Sequence, residues 1–312
     1  MEREAMIWFY LIVAAIIAKP LVQEAIRKPM NQKARADAPG SFAKLSQGVT
    51  HYQWYGPMDG PVAVCIHGLT TPSFVWRGLA NGLALMGYRV LVYDLYGRGY
   101  SDRVRGVQDR AFFMQQLADL LADQDLEDNI TLIGYSMGGA IAAIFAASQP
   151  DRIRHLILLA PAGMKPLGKG IAGYAALTPV IGAWLMLQRY PSILRKGIAA
   201  EQGGPSSVEG ISAMQEAELH RRGFISAVRS SLKGVLSEDL SKDQITLKTE
   251  AVPLLAIWGA EDSIIPLTCS DALKEWNERA QNEVIAGAGH GLPYSHTIEV
   301  LEHIDRVVHQ NG

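Results

Sequence analysis

A serine hydroxyl becomes a useful nucleophile only when a base can take its proton, and one serine in this chain is set up for that chemistry. Ser136 lies in Gly134-Tyr135-Ser136-Met137-Gly138, directly after Ile130-Thr131-Leu132-Ile133 and directly before Gly139-Ala140-Ile141-Ala142-Ala143. The expected order is a buried strand, a tight turn carrying the serine, and a helix. Small residues flank such a serine because the turn is strained and the helix packs closely against it. The hydroxyl is then raised above the sheet at a helix N-terminus, whose partial positive charge favours an oxyanion. Attack on an ester-like carbonyl is the chemistry that suits it.

Eight histidines compete to be the base. His290 lies in Ala286-Gly287-Ala288-Gly289-His290-Gly291, a loop flexible enough to set a ring against Ser136. His296 is its chief rival. His155 opens a strand and His220 sits among charges, so both are expected to be solvated; His303 and His309 fall on a polar helical stretch. His67 is expected to hydrogen-bond its own loop. The base needs an acid to fix its tautomer and steady the imidazolium. Glu261 and Asp262 both qualify by position, in the loop after the strand Leu254-Leu255-Ala256-Ile257-Trp258, since catalytic groups of open α/β sheets gather at the carboxyl ends of strands. Serine, acid, histidine is also the chain order in which a nucleophile-elbow triad occurs. The loop His67-Gly68-Leu69-Thr70-Thr71 follows the apolar run Val62–Ile66. A backbone N–H in it can pair with that of Met137 to hold an oxyanion, with Leu69 the first candidate and Thr70 the next.

These groups need a sheet to carry them. Continuous apolar runs at Val62–Ile66, Val90–Tyr93, Ile130–Gly134, Leu156–Leu159 and Leu254–Trp258 read as strands covered on both faces, and Val49–Tyr55 as a half-exposed one. Amphipathic stretches such as Phe112–Ala122 and Ala140–Ala147 lie between them. Strand alternating with helix predicts an α/β fold with a mostly parallel central sheet flanked by helices. The alternation stops between Gly163 and Glu250, a mostly helical stretch broken at Gly168-Lys169-Gly170 and Gly203-Gly204-Pro205-Ser206-Ser207. Strand pattern resumes at Val252, which predicts an inserted helical subdomain. The expected division is an N-terminal helix and connector over 1–40, core over 41–162, insert over 163–250 and core again over 251–312.

With these elements in order, the sequence resembles the α/β-hydrolase superfamily. It is similar to the lidded branch of small esterases, monoacylglycerol lipases and meta-cleavage (carbon–carbon bond) hydrolases. The likeness runs from Val49 to the C-terminus and includes Asp94-Leu95-Tyr96-Gly97-Arg98-Gly99-Tyr100-Ser101-Asp102, similar to the branch's Asp-x-x-Gly-x-Gly-x-Ser-Asp turn. The resemblance implies that Asp262, in Trp258-Gly259-x-x-Asp262, is the triad acid rather than Glu261, that His290 is the base, and that residues 163–250 form the lid. It implies a small-molecule ester or lipid-like substrate and no metal or organic cofactor, with carbon–carbon cleavage and a catalytically silent binding protein as the alternatives. Haloalkane dehalogenases and epoxide hydrolases of this fold carry an aspartate at the elbow, where this chain has Ser136.

The 312 residues are long enough for a sizeable core, and 48% hydrophobic against 19% charged reads as globular. A formal net charge of −2 gives no case for a nucleic-acid partner. Cys65 and Cys269 form no metal-binding pattern. The N-terminus departs from the branch: Met6 to Ala18 is uncharged and apolar. As a helix that run reaches roughly 20 Å, short of a bilayer core of roughly 30 Å, and extending it to Ile26 takes in Lys19, Pro20 and Glu24. A membrane anchor or interfacial helix is the leading expectation, touching the membrane through residues 6–26. A cleaved signal peptide and a self-packed helix are the alternatives. Lys19, Arg27, Lys28, Lys33 and Arg35 follow the run; if it spans, they place the catalytic part in the cytoplasm.

Overall fold

The structure is a computed structural model, and it describes residues 1–165 and 179–310. Eight strands form one sheet: β1 (Ser41–Lys44), β2 (Val49–Tyr55), β3 (Val62–Ile66), β4 (Arg89–Tyr93), β5 (Ile130–Tyr135), β6 (Ile153–Leu159), β7 (Leu254–Gly259) and β8 (Gln281–Ile285). Their order is β1-β2-β4-β3-β5-β6-β7-β8. β2 runs antiparallel to both its neighbours, and every other pairing is parallel. The central strands explain the continuous apolar runs, because helices cover both their faces. Every residue of β5 and of β7 is buried. The edge strands β1 and β8 bury only Ala43 and Ile285 respectively, so they carry no such run.

Two apolar layers close the sheet. On one face α2 (Arg77–Leu85) and α11 (Thr297–Gln310) bury Leu79, Leu83, Val300 and Ile304 against Val90, Ile133 and Ile257. On the other, α3 (Arg110–Asp123) and α4 (Met137–Ser148) cover Val64, Leu132 and Leu158. Asp109 caps α3 by accepting the Phe112 N–H at 3.0 Å. α4 is apolar around its whole circumference because it lies between the sheet and a further helix, α8 (Ser241–Thr249). His155, expected to be solvated, is 4% exposed within β6. A strand position with helices on both faces buries whatever side chain stands there.

Between β6 and β7 the described residues form helices and no strand: α5 (Pro179–Glu201), α6 (Ile211–Glu218), α7 (Phe224–Lys233) and then α8. The break expected at Gly203 to Ser207 joins α5 to α6. The one expected at Gly168 to Gly170 lies outside the described residues. α9 (Thr268–Trp276) and the short α10 (Leu292–Ser295) complete the core.

The N-terminal helix α1 spans Glu2–Ile26 without a break, passing through Pro20. At 25 residues it is about 37 Å long, well beyond the apolar run alone. It is long and apolar enough to cross a membrane. Trp8, Phe9, Tyr10, Leu11 and Ile12 are all more than half exposed. Contact with the rest of the chain comes from α5, whose Trp184 indole N–H donates to the Ile17 carbonyl at 2.9 Å, and from the far end of α1.

Candidate active site

Ser136 stands between β5 and α4 with φ 55° and ψ −117°, a conformation that L-residues rarely adopt. Its N–H donates to Leu159 O at 2.9 Å, and its carbonyl accepts from Gly139 and Ala162, so the turn is tied to both neighbouring elements. Two glycines make the turn fit. A Cβ on Gly134 would come within 2.4 Å of the Gly138 carbonyl oxygen, and one on Gly138 within 2.0 Å of the Ile66 carbonyl oxygen. Both are close approaches of backbone to backbone, which no side-chain adjustment can relieve. Met137 is the first residue of α4, so its N–H has no acceptor inside the helix.

His290 follows β8, and its Nε2 lies 2.9 Å from Ser136 Oγ. Its Nδ1 lies 2.7 Å from Asp262 Oδ2. A carboxylate only accepts, so Nδ1 carries the hydrogen and Nε2 is left to accept the Ser136 proton. The other carboxylate oxygen of Asp262 accepts the N–H groups of Ile264 and Ile265, each at 2.8 Å. Asp262 is 5% exposed, whereas Glu261 beside it points to solvent. The ring of Tyr135 packs on that of His290 at 5.2 Å between centroids. His296 hydrogen-bonds Ser295 instead, and His303 lies beside Glu283. The fold thus brings Ser136, His290 and Asp262 together at the carboxyl ends of β5, β8 and β7, where the β3 loop also arrives.

That β3 loop is braced by buried polar groups. His67 Nε2 accepts the Leu95 N–H at 2.9 Å, so its Nδ1–H donates to Gly68 O at 2.7 Å. Burial holds its pKa down at about 4, and the ring stays neutral. Arg98 is wholly buried: its Nε donates to Leu69 O at 3.1 Å, and its other nitrogens reach Tyr96 O and Ser231 Oγ, the latter on α7. Burial lowers its pKa to about 9. Asp94 gathers the Ser73 and Tyr100 N–H groups and pairs with His51 at 2.8 Å. Burial opposes its charge, but His51 and these N–H groups hold its carboxyl well below the usual range. Arg98 and Asp94 belong to the turn singled out in the sequence; their complete burial had no signal there.

Leu69, Thr70 and Ser136 border one cavity of about 240 Å³. Its apolar wall is Tyr190, Ile193, Leu194 and Ile198 of α5, with Ile264 and Ile265 from the Asp262 loop. Its polar side holds Glu201, Gln215 and Tyr294, with the Tyr294 hydroxyl donating to Glu201 at 2.5 Å. None of these residues was identifiable from sequence, since the path of the insert over Ser136 decides them. Among the described residues no group of three or more His, Cys, Asp or Glu could hold a metal ion. Cys65 and Cys269 are both buried and free.

Residues 59–294 match the family model described as serine aminopeptidase, S33. The chain belongs to that family. Outside the family model, the S33 chain is 26% identical over 253 residues to the pimeloyl-[acyl-carrier protein] methyl ester esterase of Aeromonas hydrophila, covering 78% of this chain and 95% of that one. It is 27% identical over 226 residues to the 2-hydroxymuconate semialdehyde hydrolase of a Pseudomonas strain, covering 71% and 76%. Among solved structures it is similar to a bacterial membrane phospholipase A, at 19% identity and a TM-score of 0.70, covering 100% of this chain and 99% of that one. The S33 chain is therefore a hydrolase with the α/β-hydrolase fold expected from its sequence.

Proposed function

We propose that this protein is a membrane-attached serine hydrolase that cleaves carboxylic esters of lipid-like substrates through an acyl-enzyme. The observation that carries the reading is the unbroken chain from Ser136 Oγ to His290 Nε2 at 2.9 Å and from His290 Nδ1 to Asp262 at 2.7 Å, at the wall of a largely apolar cavity. Ser136 Oγ attacks the carbonyl carbon while His290 takes its proton, and Asp262 steadies the imidazolium. The N–H groups of Leu69 and Met137 hold the oxyanion. His290 then protonates the leaving alkoxide, the alcohol departs, and water enters. His290 takes a proton from that water, whose oxygen attacks the acyl carbon; the collapse returns the proton to Ser136 and frees the acid.

Residues 163–250 act as the lid and 41–162 with 251–312 as the catalytic core. The α5 side of the cavity suits an acyl chain, and the Glu201–Tyr294–Gln215 side suits the hydroxyls of a glycerol-like alcohol. α1 attaches the enzyme to the membrane from which such an ester comes. The relative named for 2-hydroxymuconate semialdehyde favours one second reading, carbon–carbon cleavage with the same three residues. Turnover of p-nitrophenyl esters of increasing chain length and of monoacylglycerols, beside a ring-cleavage diketone, separates the two. Ester turnover that rises with acyl length and vanishes in Ser136→Ala is expected. A fastest reaction on the diketone would replace ester with carbon–carbon cleavage, and full activity in Ser136→Ala would sink both.

A further inference from the structure

The cations that follow the apolar run of α1 end in a built cleft. Its volume is about 610 Å³, and it is bounded by the foot of α1, by α5 and by the turn between α6 and α7. Arg27, Lys28, Arg195, His220 and Arg221 line it. The turn and the foot of α1 are stitched by backbone bonds: Lys28 N–H donates to His220 O at 3.1 Å, and Arg222 N–H to Lys28 O at 3.0 Å. The Glu24 carboxylate accepts the Gly223 N–H at 2.7 Å, and the Arg222 guanidinium donates to Ala25 O. The cations are thus fixed relative to one another, although they come from three distant parts of the chain.

The charge balance is one-sided. Arg27 is paired with Glu24, and Arg195 with Glu216 at 2.7 Å. Glu218, behind the turn, lies nearest Arg103 at 3.6 Å. Lys28 and Arg221 have no carboxylate within salt-bridge distance among the described residues, and Lys28 is exposed. An anion entering the cleft therefore meets Lys28 and Arg221 side by side, neither in a salt bridge among the described residues although Glu218 acts on Arg221 at longer range, with His220 next to them. Ile26, itself on the cleft wall, and Leu21 further up α1 are 75% and 51% exposed, so an apolar surface continues out of the cleft along the helix.

We propose that this cleft binds the phosphate group of an anionic phospholipid, with the acyl chains lying along α1. The proposal rests on α1 being a membrane helix, which puts its foot at headgroup depth. An amphiphile with a phosphate at one end of an apolar body matches both halves of the surface; a free phosphate matches only the first. The occupant would bridge the anchor to α5, whose Leu194 is one residue from Arg195 and faces the catalytic cavity. The retained lipid is thereby in direct contact with the helix that covers Ser136.

The test uses the full chain carrying Ser136→Ala, so that no lipid is consumed, in neutral detergent micelles. Calorimetric titration with dihexanoyl phosphatidylglycerol, dihexanoyl phosphatidylcholine and inorganic phosphate reads the site. The phosphatidylglycerol binds most tightly, and adding Lys28→Gln with Arg221→Gln weakens it roughly 30-fold. Lys28→Arg with Arg221→Lys keeps the binding, which separates lost charge from lost structure. Equal binding of phosphatidylglycerol with and without the two cations overturns the proposal. So does inorganic phosphate binding as tightly as the lipid, which would make the occupant a free anion. The membrane reading itself is tested apart from this, by whether the full chain stays in carbonate-washed membranes. Turnover of a short p-nitrophenyl ester by Lys28→Gln/Arg221→Gln with Ser136 intact stays within twofold of the parent.

Discussion

The serine turn and the N-terminal helix are both rich in apolar residues, and they use them in opposite ways. Around Ser136 every residue from Ile130 to Ala146 is buried, and the two glycines are dictated by carbonyl oxygens of the same chain. In α1 only Pro20 is buried, and the large side chains from Met6 to Ile12 face outward. The turn is specified from within: its backbone strain, of order 1–3 kcal/mol for a non-glycine residue at positive φ, persists because β5, α4 and β6 hold it from three sides. Among the described residues α1 is met along α5 and at its foot by the turn between α6 and α7, and its large apolar side chains from Met6 to Ile12 stay exposed. In the proposed function the first kind of surface serves catalytic geometry and the second serves location.

The comparison predicts that changes in the first region act on chemistry and changes in the second on place. Ser136→Ala and His290→Ala should each lower kcat on a short p-nitrophenyl ester by roughly 10⁴-fold or more, with little further loss in the double variant, because in the proposed mechanism the two act as one unit. Additive losses in the double variant would show that they do not. Arg98→Lys should come next. The lysine keeps a charge but cannot reach Leu69 O, Tyr96 O and Ser231 Oγ together. A fall in kcat of roughly 10–100-fold with KM little changed is expected if the Leu69 loop serves the oxyanion as proposed. An unchanged kcat would separate Arg98 from that loop's function.

How legible each region was follows from the same contrast. The central strands and the serine turn were readable because burial on both faces leaves an unbroken apolar run, and close backbone approach leaves glycine. β1 and β8 were not, since an edge strand covered on few positions has no such run. Asp262 and Glu261 are adjacent and chemically alike, so position alone left both open and the family resemblance pointed to Asp262; the fold turns Asp262 toward His290 and Glu261 to water. His155 was expected to be solvated, yet the covered face of β6 buries it, and the burial of Arg98 in the turn before α3 had no signal in the sequence. In α1 the extension to Ile26 that the sequence reached only by taking in Lys19, Pro20 and Glu24 is the helix the structure forms, although Pro20 lacks the N–H that continues a helix.

Deleting residues 1–27 should sharpen the division of labour. Carbonate-resistant pelleting should be lost, while turnover of a short soluble ester in detergent should fall no more than about threefold. The deletion leaves the Ser136–His290–Asp262 contacts intact; it removes the Trp184 and Gly223 contacts of α1 with the insert. A collapse of short-ester turnover would mean that α1 is part of the catalytic structure, and the contrast between the regions would fail.

The smallest effect expected lies at Glu218, where the insert meets the turn after β4. Its carboxylate accepts the Gly99 N–H at 3.0 Å, and burial raises its pKa to about 7, with Arg103 opposing the rise. The native state therefore keeps this proton at pH values where the unfolded chain has released it. Stability from this group is fully present below the unfolded value near 4.5, declines as pH rises through about 7, and is level above that. Glu218→Gln keeps an acceptor for Gly99 and removes the titration. The difference in Tm between variant and parent should shift in the variant's favour by a few degrees from pH 4.5 to pH 7.5. Asp94, Arg103 and Arg221 around Glu218 keep their charges across this window, and His51 titrates in both proteins, so the difference reads mainly the Glu218 proton. Parallel Tm profiles across this window would mean that Glu218 carries no buried proton and that the insert is held there by packing alone.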